Sequence, residues 1–201
     1  MGVATSASTY FRQIGGTAGT AVLLSLLFTV LPTNVQTAFQ NEANLSGALN
    51  AALTPEIANA PENAAIMQTI YTPIVSAVTD ATTQQIEQAA TAAAVAQAQA
   101  AATAQIEEQI PVAQISSDGT VTLDFSDAAD REAFVAQIIP QIEEQFAGGD
   151  DSSLDSSTMD DTSFLTGANP ALAEPLLIAF NESTVLVYWV GMYVVLIAFV
   201  L

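Results

Sequence analysis

The feature that most constrains this chain is an uncharged apolar run near its beginning, Gln13–Leu31 (QIGGTAGTAVLLSLLFTVL). As an α-helix this run would be about 28 Å long, close to the ~30 Å hydrocarbon core of a bilayer. A second run, Thr184–Leu201, repeats the property at the other end, and the sequence between the two is polar, Ala-rich or acidic. The pattern predicts a mainly α protein in which two transmembrane helices flank a large aqueous segment.

The charge of the chain is low in amount and strongly one-sided. Only 11% of the 201 residues are charged, against about 25% in soluble proteins. The chain has two basic residues, Arg12 and Arg131, and 21 acidic ones, which gives a net charge of -19. All the acidic residues lie between Glu42 and Glu182. Such a chain repels polyanions, which argues against a nucleic-acid partner.

The residue types that usually carry catalysis are missing. The chain has no cysteine and no histidine, which removes thiolate chemistry and the commonest general base and metal ligand. The Asp-rich stretch 150–161 lacks the spacing of a calcium-binding loop, which favours a solvated acidic linker. The sequence therefore predicts that the chain is not an enzyme and has no catalytic, metal or cofactor site.

Composition divides the chain into five segments. We expect a first transmembrane helix that Pro32 closes, an Ala/Gln-rich helical region, an acidic linker, a short helix along the membrane surface, and a final transmembrane helix. These segments cover residues 1–32, 33–149, 150–163, 164–183 and 184–201, respectively.

Local patterns within the middle region predict its elements. We expect a surface helix, a short helix interrupted at Pro73, a long helix that packs weakly or projects as a stalk, a β-hairpin with an Asp-Gly turn, and a helix that begins at Ser126 or Asp127 and is kinked at Pro140. Their ranges are Ala38–Leu53, Ala64–Val78, Thr83–Gln109, Val112–Phe125 and Asp127–Phe146.

Four residues of the first helix are candidates for orientation and packing. Arg12 is the only basic residue at the start of the apolar run, and its sign fits a cytoplasmic start. Gly15 and Gly19 form a G-x-x-x-G pattern with Gly16 beside it, which can let another helix pack closely. The alternative is that these glycines have no special role. Later in the chain, Asn181-Glu182-Ser183 matches the N-glycosylation sequon, which matters only in a eukaryotic source.

Two stretches resemble a known family. Gly2–Phe28, with the string F-R-Q-I-G-G-x-x-G-x-A, resembles the penultimate helix of fourteen-span drug:proton antiporters of the major facilitator superfamily. Asp161–Leu201, with D-T-S-F-L and L-A-x-P, is similar to the entry into the final helix of the same family. The residues between the two stretches carry no family signature.

This resemblance implies a function and a topology. The chain would be the C-terminal part of a multi-pass multidrug efflux transporter in the cell membrane, with residues 33–183 outside the cell. Its partners would be the lipid bilayer and the remaining helices of the transporter. The acidic loop would also attract cationic drugs. Two helices cannot enclose an alternating-access site, so the chain alone should not transport.

Two other readings remain open. The chain could be an independent membrane-anchored structural or interaction protein that displays its middle region outside the cell. A soluble enzyme or binding domain in the middle region is disfavoured, because few large hydrophobic residues are available there for a core.

Overall fold

The computed structural model describes residues 2–95, 99–116, 120–147 and 162–200. The protein is mainly helical. It divides into two compact units, one formed by Met1–Thr37 with Leu176–Leu201 and the other by Ala38–Pro175. We refer to them as the terminal unit and the middle unit.

Eight α-helices and one β-hairpin are found in the described residues. The helices are α1 Gly2–Phe39, α2 Glu42–Leu53, α3 Pro55–Ala58, α4 Ala64–Ile66, α5 Thr72–Val95, α6 Gln99–Gln109, α7 Ala128–Ala147 and α8 Pro170–Val200. The strands are β1 Ala113–Ile115 and β2 Val121–Leu123. Short 3₁₀ turns lie at Pro61–Asn63 and Ser163–Leu165, and a π-helical turn lies at Met67–Tyr71.

Helix α1 does not end at Pro32, contrary to the sequence prediction. A proline inside a helix removes one hydrogen bond, here to the carbonyl of Phe28, but it does not prevent the next turns from forming. Those turns contain Leu31, Val35 and Phe39, which are all buried. The burial of this face favours continuation of the helix as far as Phe39.

Helix α8 likewise runs through Pro175. The separate short helix expected over residues 164–183 is therefore wrong, because Pro170 begins a helix that continues to Val200. The turns on both sides of Pro175 are held by buried residues, among them Leu172, Leu176 and Ala179. The contact of this part of α8 with a membrane surface stays a prediction.

The core of the middle unit is built around α2 and α7, which pack against each other. The side chain of Asn41 caps α2 by accepting a hydrogen bond from the N–H of Asn44 at 3.2 Å. The expected surface helix thus begins later than Ala38, and its apolar side is buried. The large buried residues of the two helices recur at helical spacing: Leu45, Leu49 and Leu53 on α2, and Phe134, Val135, Ile138, Ile139 and Ile142 on α7.

A π-helical turn carries the chain past Pro73. The N–H of Thr72 donates to the carbonyl of Met67, five residues back. Proline has no N–H, and its ring crowds the carbonyl four residues before it in an α-helix, so a wider turn relieves this crowding. The predicted interruption at Pro73 is therefore wrong, and one face of the continuous run buries Ile66, Ile70 and Ile74.

The predicted long helix over Thr83–Gln109 is two helices. Ile86 on α5 packs in one small cluster with Ile106 on α6, whereas a straight helix would hold these residues about 30 Å apart. The cluster also takes in Ala113 and Val121 from the hairpin. These helices therefore support the hairpin, and the expectation of a projecting stalk is wrong.

The β-hairpin and the start of α7 agree with the sequence prediction. The strands pair antiparallel, with Ala113 opposite Leu123 and Ile115 opposite Val121. The Asp127 carboxylate caps α7 by accepting hydrogen bonds from the N–H groups of Ala129 and Asp130, at 2.8 and 3.1 Å. The predicted Asp-Gly turn lies outside the described residues.

Two predictions concern the end of this region. Helix α7 continues through Pro140 from Ala128 to Ala147, and the kink expected there stays a prediction. Most of the predicted acidic linker lies in residues 148–161, which are outside the described part of the chain.

Two long-range hydrogen bonds, which we call the clip, close the middle unit. Asn63 is buried, and its side-chain oxygen accepts from the N–H of Asn169 at 2.7 Å. The hydroxyl of Tyr71 donates to the carbonyl of Leu172 at 2.5 Å. The clip therefore fixes the residues that begin α8 against a segment about a hundred positions earlier in the chain.

The clip makes stability depend on pH in the alkaline range. Burial raises the pKa of the Tyr71 phenol well above the ordinary value of about 10. The folded protein keeps a proton that the unfolded chain releases above that pH. The free energy of unfolding should therefore fall as pH rises above about 10, by up to roughly 1.4 kcal/mol per pH unit.

Urea unfolding at pH 9 to 12, followed by circular dichroism, measures this effect. The Tyr71→Phe variant is the control, because it lacks the buried phenol and should lose this part of the pH dependence. The chain contains no lysine or cysteine that would add its own titration in this range. An identical alkaline slope in both proteins would contradict the assignment to Tyr71.

Candidate functional site

The candidate site is the pair of long apolar helices in the terminal unit. The regions Gly15–Phe39 and Pro170–Val200 are long and apolar enough to cross a membrane. Large apolar side chains lie exposed on both helices: Val22, Leu24 and Phe28 on α1, and Val185, Leu186, Tyr188, Trp189, Met192, Tyr193, Val194, Val195, Leu196, Ile197, Phe199 and Val200 on α8. A continuous exposed apolar surface of this kind marks an interaction with membrane or protein.

The length of the exposed apolar parts of α1 and α8 can be compared with the thickness of a bilayer. On α1 the described exposed side chains extend from Gln13 to Thr29 and give way to a buried residue at Leu31, and on α8 they extend from Thr184 as far as the last described residue, Val200. Seventeen to nineteen helical residues extend about 25–28 Å, slightly less than a ~30 Å hydrocarbon core. The described part of this surface is therefore long enough to cover most of a hydrocarbon core.

The two helices lie side by side and antiparallel. Near one end, the side-chain NH₂ of Asn34 on α1 donates to the hydroxyl of Ser183 on α8 at 2.8 Å. Further along, Ala18 to Leu23 on α1 and Val187 to Leu196 on α8 line the same groove. Because earlier residues of α1 lie beside later residues of α8, the two helices are antiparallel.

The groove between the helices is large and apolar. Its volume is about 1010 Å³. Among the lining residues that the structure describes, the only polar side chains are those of Thr184 and Tyr188, so the groove is suited mainly to apolar groups. The lining residues are Ala18, Gly19, Val22, Leu23, Thr184, Val187, Tyr188, Val190, Gly191, Met192, Val194, Val195 and Leu196.

The glycines predicted to mediate packing leave space around them. A Cβ placed on Gly15, Gly16 or Gly19 would meet no described atom within 4 Å, and the same holds for Gly191 in the groove. The contacts among the described residues thus do not need glycine at these positions. Arg12 lies on α1, but its side chain is not among those that the structure describes. The orientation and packing roles of these residues stay predictions.

Ser183 forms a fully satisfied polar link where the apolar part of α8 begins. Its hydroxyl is 0% exposed, donates to the carbonyl of Ala179 at 2.7 Å and accepts from Asn34. A buried hydroxyl with both kinds of partner carries little desolvation penalty. The same engagement makes the Asn181 sequon a poor glycosylation site in the folded protein, because its serine is helical and inaccessible.

The Asn34–Ser183 bond should contribute a measurable coupling energy. We expect a double-mutant cycle of Asn34→Ala and Ser183→Ala to give about 0.5–1.5 kcal/mol, the range typical of hydrogen bonds between packed helices. Reversible denaturation in detergent micelles measures it.

Thr184 supplies the matched control for this cycle. Among the described residues, its hydroxyl bonds within its own helix, to the carbonyl of Phe180 2.7 Å away. Coupling between Asn34→Ala and Thr184→Val should therefore be close to zero. Equal coupling in the two cycles would contradict a direct Asn34–Ser183 contribution.

The middle unit shows no comparable chemical site among its described residues. No group of three or more acidic side chains there could hold a metal ion. Asp124 accepts hydrogen bonds from Ser126, at 3.0 Å from its N–H, and from Gln114 at 3.1 Å, and these bonds lower the pKa of its carboxyl group. The Arg131 guanidinium donates to the carbonyl of Phe125 at 2.7 Å and so holds the backbone just before α7 against that helix. These contacts are structural.

Sequence reasoning missed Asn34, Ser183 and Gly191. The partner of Asn34 is 149 positions away, and no local pattern links the two. A polar residue at the end of an apolar helix was the only signal available. Comparison with known proteins adds no further guide, because no protein family, curated protein or solved structure matches this chain.

Proposed function

We propose that this chain is the C-terminal part of a membrane transporter, of the proton-coupled multidrug efflux type, with α1 and α8 in the membrane and the middle unit outside the cell. The observation that carries the membrane assignment is the antiparallel pair with bilayer-high apolar surfaces. The transporter assignment is supported by the resemblance of two stretches to the antiporter family. Gly2–Phe28 lies within α1, and Asp161–Leu201 contains α8 and the residues just before it.

Topology follows from this proposal. Two antiparallel spans return the chain to the side on which it began, so both ends would lie in the cytoplasm and residues 38–175 outside. Arg12 near the beginning of α1 agrees with a cytoplasmic start. The exposed acids of the middle unit would then face the medium and attract cationic drugs by their net charge.

Single-cysteine labelling tests the topology, and the chain has no native cysteine to confuse it. In Gln105→Cys the new thiol lies on an exposed position of α6, and a membrane-impermeant maleimide should label it in intact cells. Ser6→Cys should react only after the membrane is permeabilised. Val190→Cys, in the groove, should stay protected from the aqueous reagent in both states.

Each alternative gives a different labelling pattern. Labelling of Gln105→Cys only after permeabilisation would reverse the proposed orientation. Recovery of the unmodified chain as a soluble, monodisperse particle without detergent would overturn the membrane assignment itself.

Transport would require the other helices of the protein, which would be the partners of the small-residue face around Gly15, Gly16 and Gly19. The genomic sequence upstream of the codon for Met1 tests this part. An in-frame continuation into twelve further apolar spans supports the transporter. A ribosome-binding site at Met1 without such a continuation contradicts it.

The second candidate is a stand-alone membrane-anchored interaction protein. It is favoured by the core of the middle unit, where α2 and α7 bury large residues of their own. A domain with its own core can present a binding surface without any transport function. The same genomic observation separates the two candidates.

A further inference from the structure

We draw no further inference here: the strongest candidate, the apolar groove between α1 and α8 that Gly19 and Gly191 help to line, belongs to the helix pair already described, and nothing in the structure shows what covers it.

Discussion

Replacement of Phe39 by alanine should destabilise the middle unit by about 3–5 kcal/mol, the usual cost of removing a buried phenyl ring. Phe39 is 0% exposed, and its ring centroid lies 6.3 Å from that of Tyr71. The substitution would leave a cavity beside the helix that carries the clip. Some backbone amides in the Ile66–Val78 run exchange with deuterium only when the middle unit unfolds. Their exchange should become more than a hundredfold faster in this variant.

Phe28→Ala provides the matched control on the same helix. Phe28 is 44% exposed and belongs to the terminal unit, so its loss should leave exchange in Ile66–Val78 unchanged. Phe39→Leu, which keeps more of the volume, should have a smaller effect than Phe39→Ala. Equal acceleration by Phe28→Ala and Phe39→Ala would contradict a core centred on Phe39.

Leu24→Arg should lower the equilibrium constant for membrane insertion of α1 by about a hundredfold, because arginine near the centre of a span costs about 3 kcal/mol. Leu24 is 47% exposed, lies close to the middle of the apolar run Gln13–Leu31 and does not line the groove. The inserted fraction of this segment in a microsomal reporter assay measures the effect.

When the full chain is assayed instead of the isolated segment, Gln105→Arg introduces the same side chain at an exposed position of α6 and should not change insertion of α1. Leu24→Ile should also insert as well as the unmodified segment, because it keeps the apolar character. Unchanged insertion of the Leu24→Arg segment would mean that lipid does not surround this face of α1.

The elements with strong local signals could be predicted from the sequence. The hairpin follows from alternation in Val121, Thr122 and Leu123, and the start of α7 follows from the capping carboxylate of Asp127. The two apolar helices follow from their length and lack of charge. In each case the residues that determine the element are its own residues.

The missed features depend on burial by distant parts of the chain. The sequence predicts that Pro32 closes a helix and that Pro73 interrupts one, yet both lie within continuing helices whose following turns contain buried residues, as does Pro175. A proline costs a helix about 3 kcal/mol, which burial of several large side chains can offset. The sequence shows the cost locally, but it does not show the burial.

The same limit applies to the candidate site. The apolar surface could be predicted, but neither the antiparallel pairing nor the Asn34–Ser183 bond could, since both join the two ends of the chain. The clip between Asn63 and Asn169 is also invisible locally. Sequence patterns of this kind predict which surfaces are apolar better than they predict what those surfaces contact.

The clip also sets how freely this protein can vary in length. Asn63 and Tyr71 hold Asn169 and Leu172 directly, so the starting point of the last helix does not depend on how many residues separate it from α7. In general, doubling the number of residues in a closed loop adds only about 0.6 kcal/mol of closure entropy. Insertions or deletions between positions 147 and 162 should therefore leave the starting position of the final helix unchanged.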